Sequence, residues 1–211
     1  MHKALKILSA ALILLLFSAC AEGFPVPEFL PEGGIVESSM DVAGMCFYSV
    51  SIPETGEEII FTCDAQGALL SIRTETEAPH DPSEAPVDRA RVEELVQAAY
   101  PGSRVLFVRR LDKHVESGVA ADAFCGVLTI AGDQICSRSI EMAEICRDGL
   151  LTMEGALKVL RLHRPEAEFR ALELDEDDGE YVYEGEALVG GVEYEFELSV
   201  RSGKLLEWER D

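Results

Sequence analysis

Near its C-terminus the chain reads Val192-Glu193-Tyr194-Glu195-Phe196-Glu197-Leu198-Ser199-Val200-Arg201-Ser202-Gly203-Lys204-Leu205-Leu206. Tyr194, Phe196, Leu198 and Val200 alternate with Glu193, Glu195, Glu197 and Ser199. A period of two puts each set on its own side of the pleat, so the pattern predicts a strand with one buried and one wet face. Ser202-Gly203 turns the chain into a last strand, Leu205 to Trp208. Upstream, Gly190-Gly191 marks a turn and a strand surrounds Tyr181 and Tyr183. Before these lie alternating residues through Leu172 and Leu174 and an acidic turn, Asp175-Glu176-Asp177-Asp178-Gly179. Earlier still, Thr152 is suited to cap a helix whose Ala156, Val159, Leu160 and His163 share one face before Pro165 stops it.

The plan of one helix followed by hairpins recurs. Val92, Leu95, Val96 and Ala99 form a similar helical face, ended by Tyr100-Pro101-Gly102. A strand from Val105 to Leu111 follows, then a hairpin of Phe124 to Ile130 and Gln134 to Ile140 around Ala131-Gly132-Asp133. Residues 46–73 match the other half of the plan without a helix: Ile59, Phe61 and Cys63 alternate, and Asp64-Ala65-Gln66-Gly67 turns into Ala68-Leu69-Leu70. Pro79, Pro82 and Pro86 among several acids mark residues 74–86 as a linker.

The unit resembles the PepSY domain, most clearly over residues 149–211. The residues that carry the resemblance are Glu154-Gly155-Ala156-Leu157, Arg164-Pro165-Glu166 and Ser202-Gly203-Lys204-Leu205-Leu206, with Ala99-Tyr100-Pro101-Gly102 supplying a fuller helix stop in the middle unit. The resemblance implies an inhibitory or regulatory module of exported bacterial proteins and of metallopeptidase propeptides, and not a catalyst. The expected fold class is α+β, with tandem small antiparallel sheets each crossed by one helix in a cystatin-like arrangement. The expected domains are a partial hairpin unit at 46–73, which completes the sheet of the middle unit, a linker at 74–86, and units at 87–146 and 149–211.

Residues 1–19 carry Lys3 and Lys6, an apolar run from Ile7 to Phe17, and small Ser18 and Ala19. That is the make-up of a secretory signal peptide, too short to span a bilayer as a helix, which takes roughly 20 apolar residues. Leu16-Phe17-Ser18-Ala19-Cys20 resembles a bacterial lipoprotein signal, which implies lipidation of Cys20 after cleavage; Phe17 departs from the usual Leu. An ordinary cut after Ala21 is the alternative. Residues 20–45, with Pro25, Pro27 and Pro31, are expected to be an extended tether.

With 18 Lys and Arg against 40 Asp and Glu, the 211-residue chain carries a net charge of −22, and loss of residues 1–19 takes it to −24. The acid excess argues against nucleic acid and an anionic membrane face as partners, since each needs clustered cations. No Gly-rich phosphate loop, Cys-x-x-Cys, paired-His zinc signature or Gly-x-Ser-x-Gly is present, so no cofactor and no catalytic residue is assigned. In an oxidising compartment Cys46 with Cys63, and Cys125 with Cys136, are possible cross-strand disulfides, with Cys136–Cys146 as a competitor and five small buried hydrophobes as the alternative. His80, His114 and His163 show no spacing to a cysteine or acid that makes a dyad. The acids at 175–178 fail the EF-hand pattern, because Leu174 falls at its first position, so no metal site is assigned. Glu193, Glu195 and Glu197 read as a wet face, or as a surface that steers a basic partner.

These features describe an exported module, attached to the cell membrane by an N-terminal lipid, that binds a protein or peptide; a peptidase is the partner class the resemblance implies. The alternatives are an enzyme with a thiol-dependent site and a lipoprotein that binds a small ligand or cation.

Overall fold

The computed structural model describes residues 33–76, 88–177 and 179–211. The signal peptide, Cys20, residues 20–32 of the expected tether, and residues 77–86 of the linker with His80 lie outside the described residues.

The chain opens with four strands, β1 (Ile35–Val42), β2 (Met45–Ile52), β3 (Glu57–Asp64) and β4 (Leu69–Thr76). Helix α1 (Arg89–Ala99) follows, then β5 (Arg104–Arg110), β6 (Val115–Ala120), β7 (Phe124–Ala131) and β8 (Gln134–Met142). Two short strands, β9 (Cys146–Arg147) and β10 (Leu150–Leu151), pair with each other before helix α2 (Met153–His163). The last five are β11 (Glu168–Phe169), β12 (Glu173–Asp177), β13 (Glu180–Val189), β14 (Val192–Ser199) and β15 (Leu205–Arg210).

Strand pairing makes the sheet shared by the first and middle units larger than the small sheets expected. β1 to β8 make one eight-stranded sheet in the order β1-β2-β3-β4-β8-β7-β6-β5. The first hairpin unit joins the middle one through antiparallel β4 and β8, where Ile72 faces Ile140. A buried ion pair fastens the same seam: Arg138 lies 2.5 Å from Glu57, and the Thr74 hydroxyl donates to Glu57 while accepting from the Arg138 backbone N–H. β1 also lies inside the stretch expected as tether, and β4 runs to Thr76, past the expected start of the linker at 74. The second sheet has five strands, β11, β13, β14 and β15 with β12 beside β13. All strand pairs are antiparallel, and the molecule is dominated by sheet, with two helices among the described residues.

Both helices are capped as their sequences require. Asp88 accepts from the Arg91 N–H at 2.8 Å, and Thr152 accepts from the Gly155 N–H at 3.0 Å, each satisfying a donor of the first turn. Val92 and Val96 of α1 pack on one face of the large sheet against Val105, Val119, Leu128 and Ile140. Ala156, Val159 and Leu160 of α2 belong to a core that takes Leu106, Ala120 and Cys125 from the large sheet and Tyr183, Phe196 and Leu198 from the small one. The layers therefore run α1, large sheet, α2, small sheet, so α2 serves both sheets at once. The outer face of the small sheet has no helix on it among the described residues.

Candidate functional site

That outer face collects carboxylates by register. Glu184 of β13 stands opposite Glu197 of β14, and Glu186 opposite Glu195. β12 adds Glu173 beside Glu184, and β15 adds Glu207 beside Glu197 and Glu209 beside Glu195. Two rows thus run across the strands: Glu173-Glu184-Glu197-Glu207 and Glu186-Glu195-Glu209. A depression of about 440 Å³ lies over them, with six of these seven glutamates in its lining. Like charges facing each other across strands weaken a sheet, so this face spends stability on being negative. The small sheet carries it because its other face is well packed. Phe196 stacks with Trp208, Phe169 meets Phe196 edge-on, and the Arg164 guanidinium sits 4.9 Å over the Trp208 ring.

Glu193, Glu195 and Glu197, singled out in the sequence, share this face; Glu193 at its corner lies 3.6 Å from Arg170. Glu173, Glu184, Glu186, Glu207 and Glu209 were missed. Counting outward from the Gly190-Gly191 turn would have found the Glu184–Glu197 and Glu186–Glu195 pairs. The rows are spread along the strands: among the described residues no group of three or more His, Cys, Asp or Glu is arranged to hold a metal ion.

No disulfide links the five described cysteines, all buried, so the pairing expected for Cys46, Cys63, Cys125 and Cys136 finds no support here. Cys46 does face Cys63 in register. Cys125, however, faces Glu141, whereas Cys136 sits at the irregularity opposite Thr129 and Ile130. That offset is about 15 Å at roughly 3.4 Å per residue, too far for a bond that needs Cα atoms within about 7 Å. The hairpin closes by pairing Ala131 with Gln134, and this register separates the two thiols.

Burial pushes the Cys63 thiol up to about 11, helped by Cys46 and Asp64. Cys125 is likewise pushed up to about 11, by burial and then Glu141, against the pull of Lys158. Cys146 is raised by burial even though an Arg104 N–H donates to its sulfur at 3.0 Å. A nucleophilic cysteine needs the opposite shift, so these three keep their protons at neutral pH. His114 sits in the β5–β6 turn, where its carbonyl accepts from the Leu111 N–H. His163 is buried with Nε2 2.9 Å from the Gly203 carbonyl oxygen and its ring 5.0 Å from that of Phe107. It joins α2 to both sheets and, among the described residues, is not paired with a thiol or an acid.

The family model described as "Peptidase propeptide and YPEB domain", PepSY, matches residues 151–209. That span is α2 with the small sheet, where the motifs at the helix and last hairpin carry the resemblance. No curated protein matches the chain. Among solved structures it is similar to the Bacillus megaterium YpeB C-terminal domain, at 10% identity over 84% of this chain and 87% of that one, with a TM-score of 0.36. It is also similar to an uncharacterized protein from Eubacterium rectale, at 10% identity over 85% of this chain and 77% of that one, with a TM-score of 0.32. Among the described residues no helix is long and apolar enough to cross a membrane.

Proposed function

We propose that the protein is an exported, lipid-anchored, non-catalytic module of the cell envelope that binds a basic protein or peptide. A peptidase under its restraint is the partner class that the PepSY span at residues 151–209 suggests. The observation that carries the reading is the bare outer face of the small sheet, where seven glutamates stand in two rows. An arrangement that costs the sheet stability is kept where opposite charge can repay it, and a negative field of this size speeds the approach of a positive partner. The buried, proton-holding thiols give no support to the thiol-enzyme alternative.

The test compares capture from envelope extract by the full chain and by a Glu184→Gln/Glu195→Gln/Glu197→Gln variant. A protein held by the wild type should be released by the variant and associate more slowly as salt rises. Capture that is equal for both chains, or a rate indifferent to salt, counts against the reading.

A further inference from the structure

Arg73, Lys158 and Arg161 meet in a cleft of about 330 Å³ between α2 and the strands β4, β7 and β8. Register explains the meeting. Ser71 stands opposite Glu141 and Arg73 opposite Ser139, so these four share a face, and Cys125, also opposite Glu141, puts that face on the side α2 covers. Lys158 and Arg161 are three residues apart on α2, the spacing that sets side chains on one helical side. The Lys158 ammonium pairs with Glu141 and lies 4.0 Å from Glu154. Neither Arg73 nor Arg161 reaches a carboxylate among the described residues.

Acids outnumber bases 40 to 18 in this chain, so two arginines without carboxylate partners in one cleft stand out. Three cations against Glu141 in the lining, with Glu154 at 4.0 Å from Lys158, leave a local excess of one to two positive charges. A phosphoryl group, at about −1.5 to −2 near pH 7, matches that excess better than a lone carboxylate does. Guanidinium forks suit oxyanions, and the hydroxyls of Ser71 and Ser139 can donate to the same oxygens. The volume leaves room beyond the phosphoryl for a small organic group. We propose that this cleft binds a phosphate monoester, held chiefly by Arg73 and Arg161 and assisted by Lys158. Its chemistry is recognition: the one thiol in the wall, Cys125, holds its proton at neutral pH.

Calorimetric titration of the full chain at low salt, with glycerol phosphate as probe and acetate as the single-charge comparator, tests this. Glycerol phosphate should bind, with acetate at least tenfold weaker. Arg73→Gln with Arg161→Gln should weaken glycerol phosphate at least tenfold, and Arg161→Gln alone, on an exposed helical position, should weaken it by a smaller factor. Glu141→Gln, which removes the competing carboxylate, should tighten binding several-fold, a gain that damage to the fold would not produce. Vesicles with and without phosphatidic acid identify the source of the group. Retention on the acidic vesicles that the double variant loses points to a lipid headgroup; glycerol phosphate binding without it points to a soluble ester. Absence of glycerol phosphate binding, equal affinity for acetate, or unchanged affinity in Arg161→Gln and the double variant overturns the proposal.

Discussion

At Gly185 the small sheet has no room for a side chain. Between β11 and β12 the backbone N–H groups of Arg170 and Ala171 both donate to the Glu186 carbonyl, so the edge strand bulges toward β13. A Cβ on Gly185 would lie 2.1 Å from the Ala171 carbonyl oxygen and 2.8 Å from the Phe196 ring. The first contact is backbone and cannot rotate away. Gly185→Ala should therefore lower stability by about 1–3 kcal/mol, the usual cost of overpacking. Thermal unfolding checks it, and an unchanged midpoint would show that the bulge is free to move. A lone glycine between Glu184 and Glu186 is a legible sign of close backbone approach. What approaches it was not legible, because Ala171 comes from the other strand of a pair whose register the acidic turn at 175–179 hides.

Helix α2 and its cap were readable because every signal is local. Thr152 precedes an apolar stripe, Pro165 follows it, and the structure starts the helix at Met153 and ends it at His163. The Thr152 oxygen accepts from Gly155 N–H, and its hydroxyl lies 3.3 Å from the carbonyls of Glu144 and Ile145. Thr152→Ala should cost about 1 kcal/mol, and Thr152→Ser should recover most of it, since the oxygen is kept. Equal loss in both variants, read by chemical denaturation, would assign the effect to the methyl group instead. β14 was equally plain, with its strict alternation. β1 and β6 were not. Residues 35–42 set Glu37, Ser38 and Ser39 in a row between Val36 and Met40, which breaks the alternation, and Val115 to Ala120 contains Ser117 and Gly118 where an apolar pair would have marked a strand. Gly118 is small because the Phe107 ring fills its side-chain space, a contact no local pattern reveals. The acidic face was half legible for the same reason: β14 announced its own glutamates, and the rows exist only once four strands are in register.

At the scale of the whole molecule the two sheets are joined through α2, and the sequence conceals this because the stripe of Ala156, Val159 and Leu160 accounts for one packing partner, not two. Gly155 permits the close approach, since a Cβ there would lie 2.0 Å from the Ile145 carbonyl oxygen. His163 closes the far end of the helix. Its Nε2 meets the Gly203 carbonyl in the β14–β15 turn, its ring lies against Phe107 of β5, and an Arg109 N–H donates to its own carbonyl at 3.2 Å. Burial holds the imidazole below its ordinary value of 6.5; Arg164 and Arg109 add to the shift, and the bond to Gly203 opposes it. The folded protein thus prefers a neutral ring, whereas the unfolded chain takes up a proton near 6.5. Stability from this contact is complete above about pH 6.5 and is lost as pH falls from there through the lowered folded value, because the unfolded state then binds more protons. His163→Gln keeps a side-chain amide to donate to the Gly203 oxygen but cannot titrate. Between pH 7.5 and about 5.5, above the range where most carboxylates protonate, the wild-type midpoint should fall and the variant's should fall less. Because His163 ties α2 to both sheets, the loss should register in a single transition seen alike by Trp208 fluorescence in the small sheet and by far-ultraviolet dichroism of the whole. Parallel pH profiles for the two proteins would remove His163 from the account.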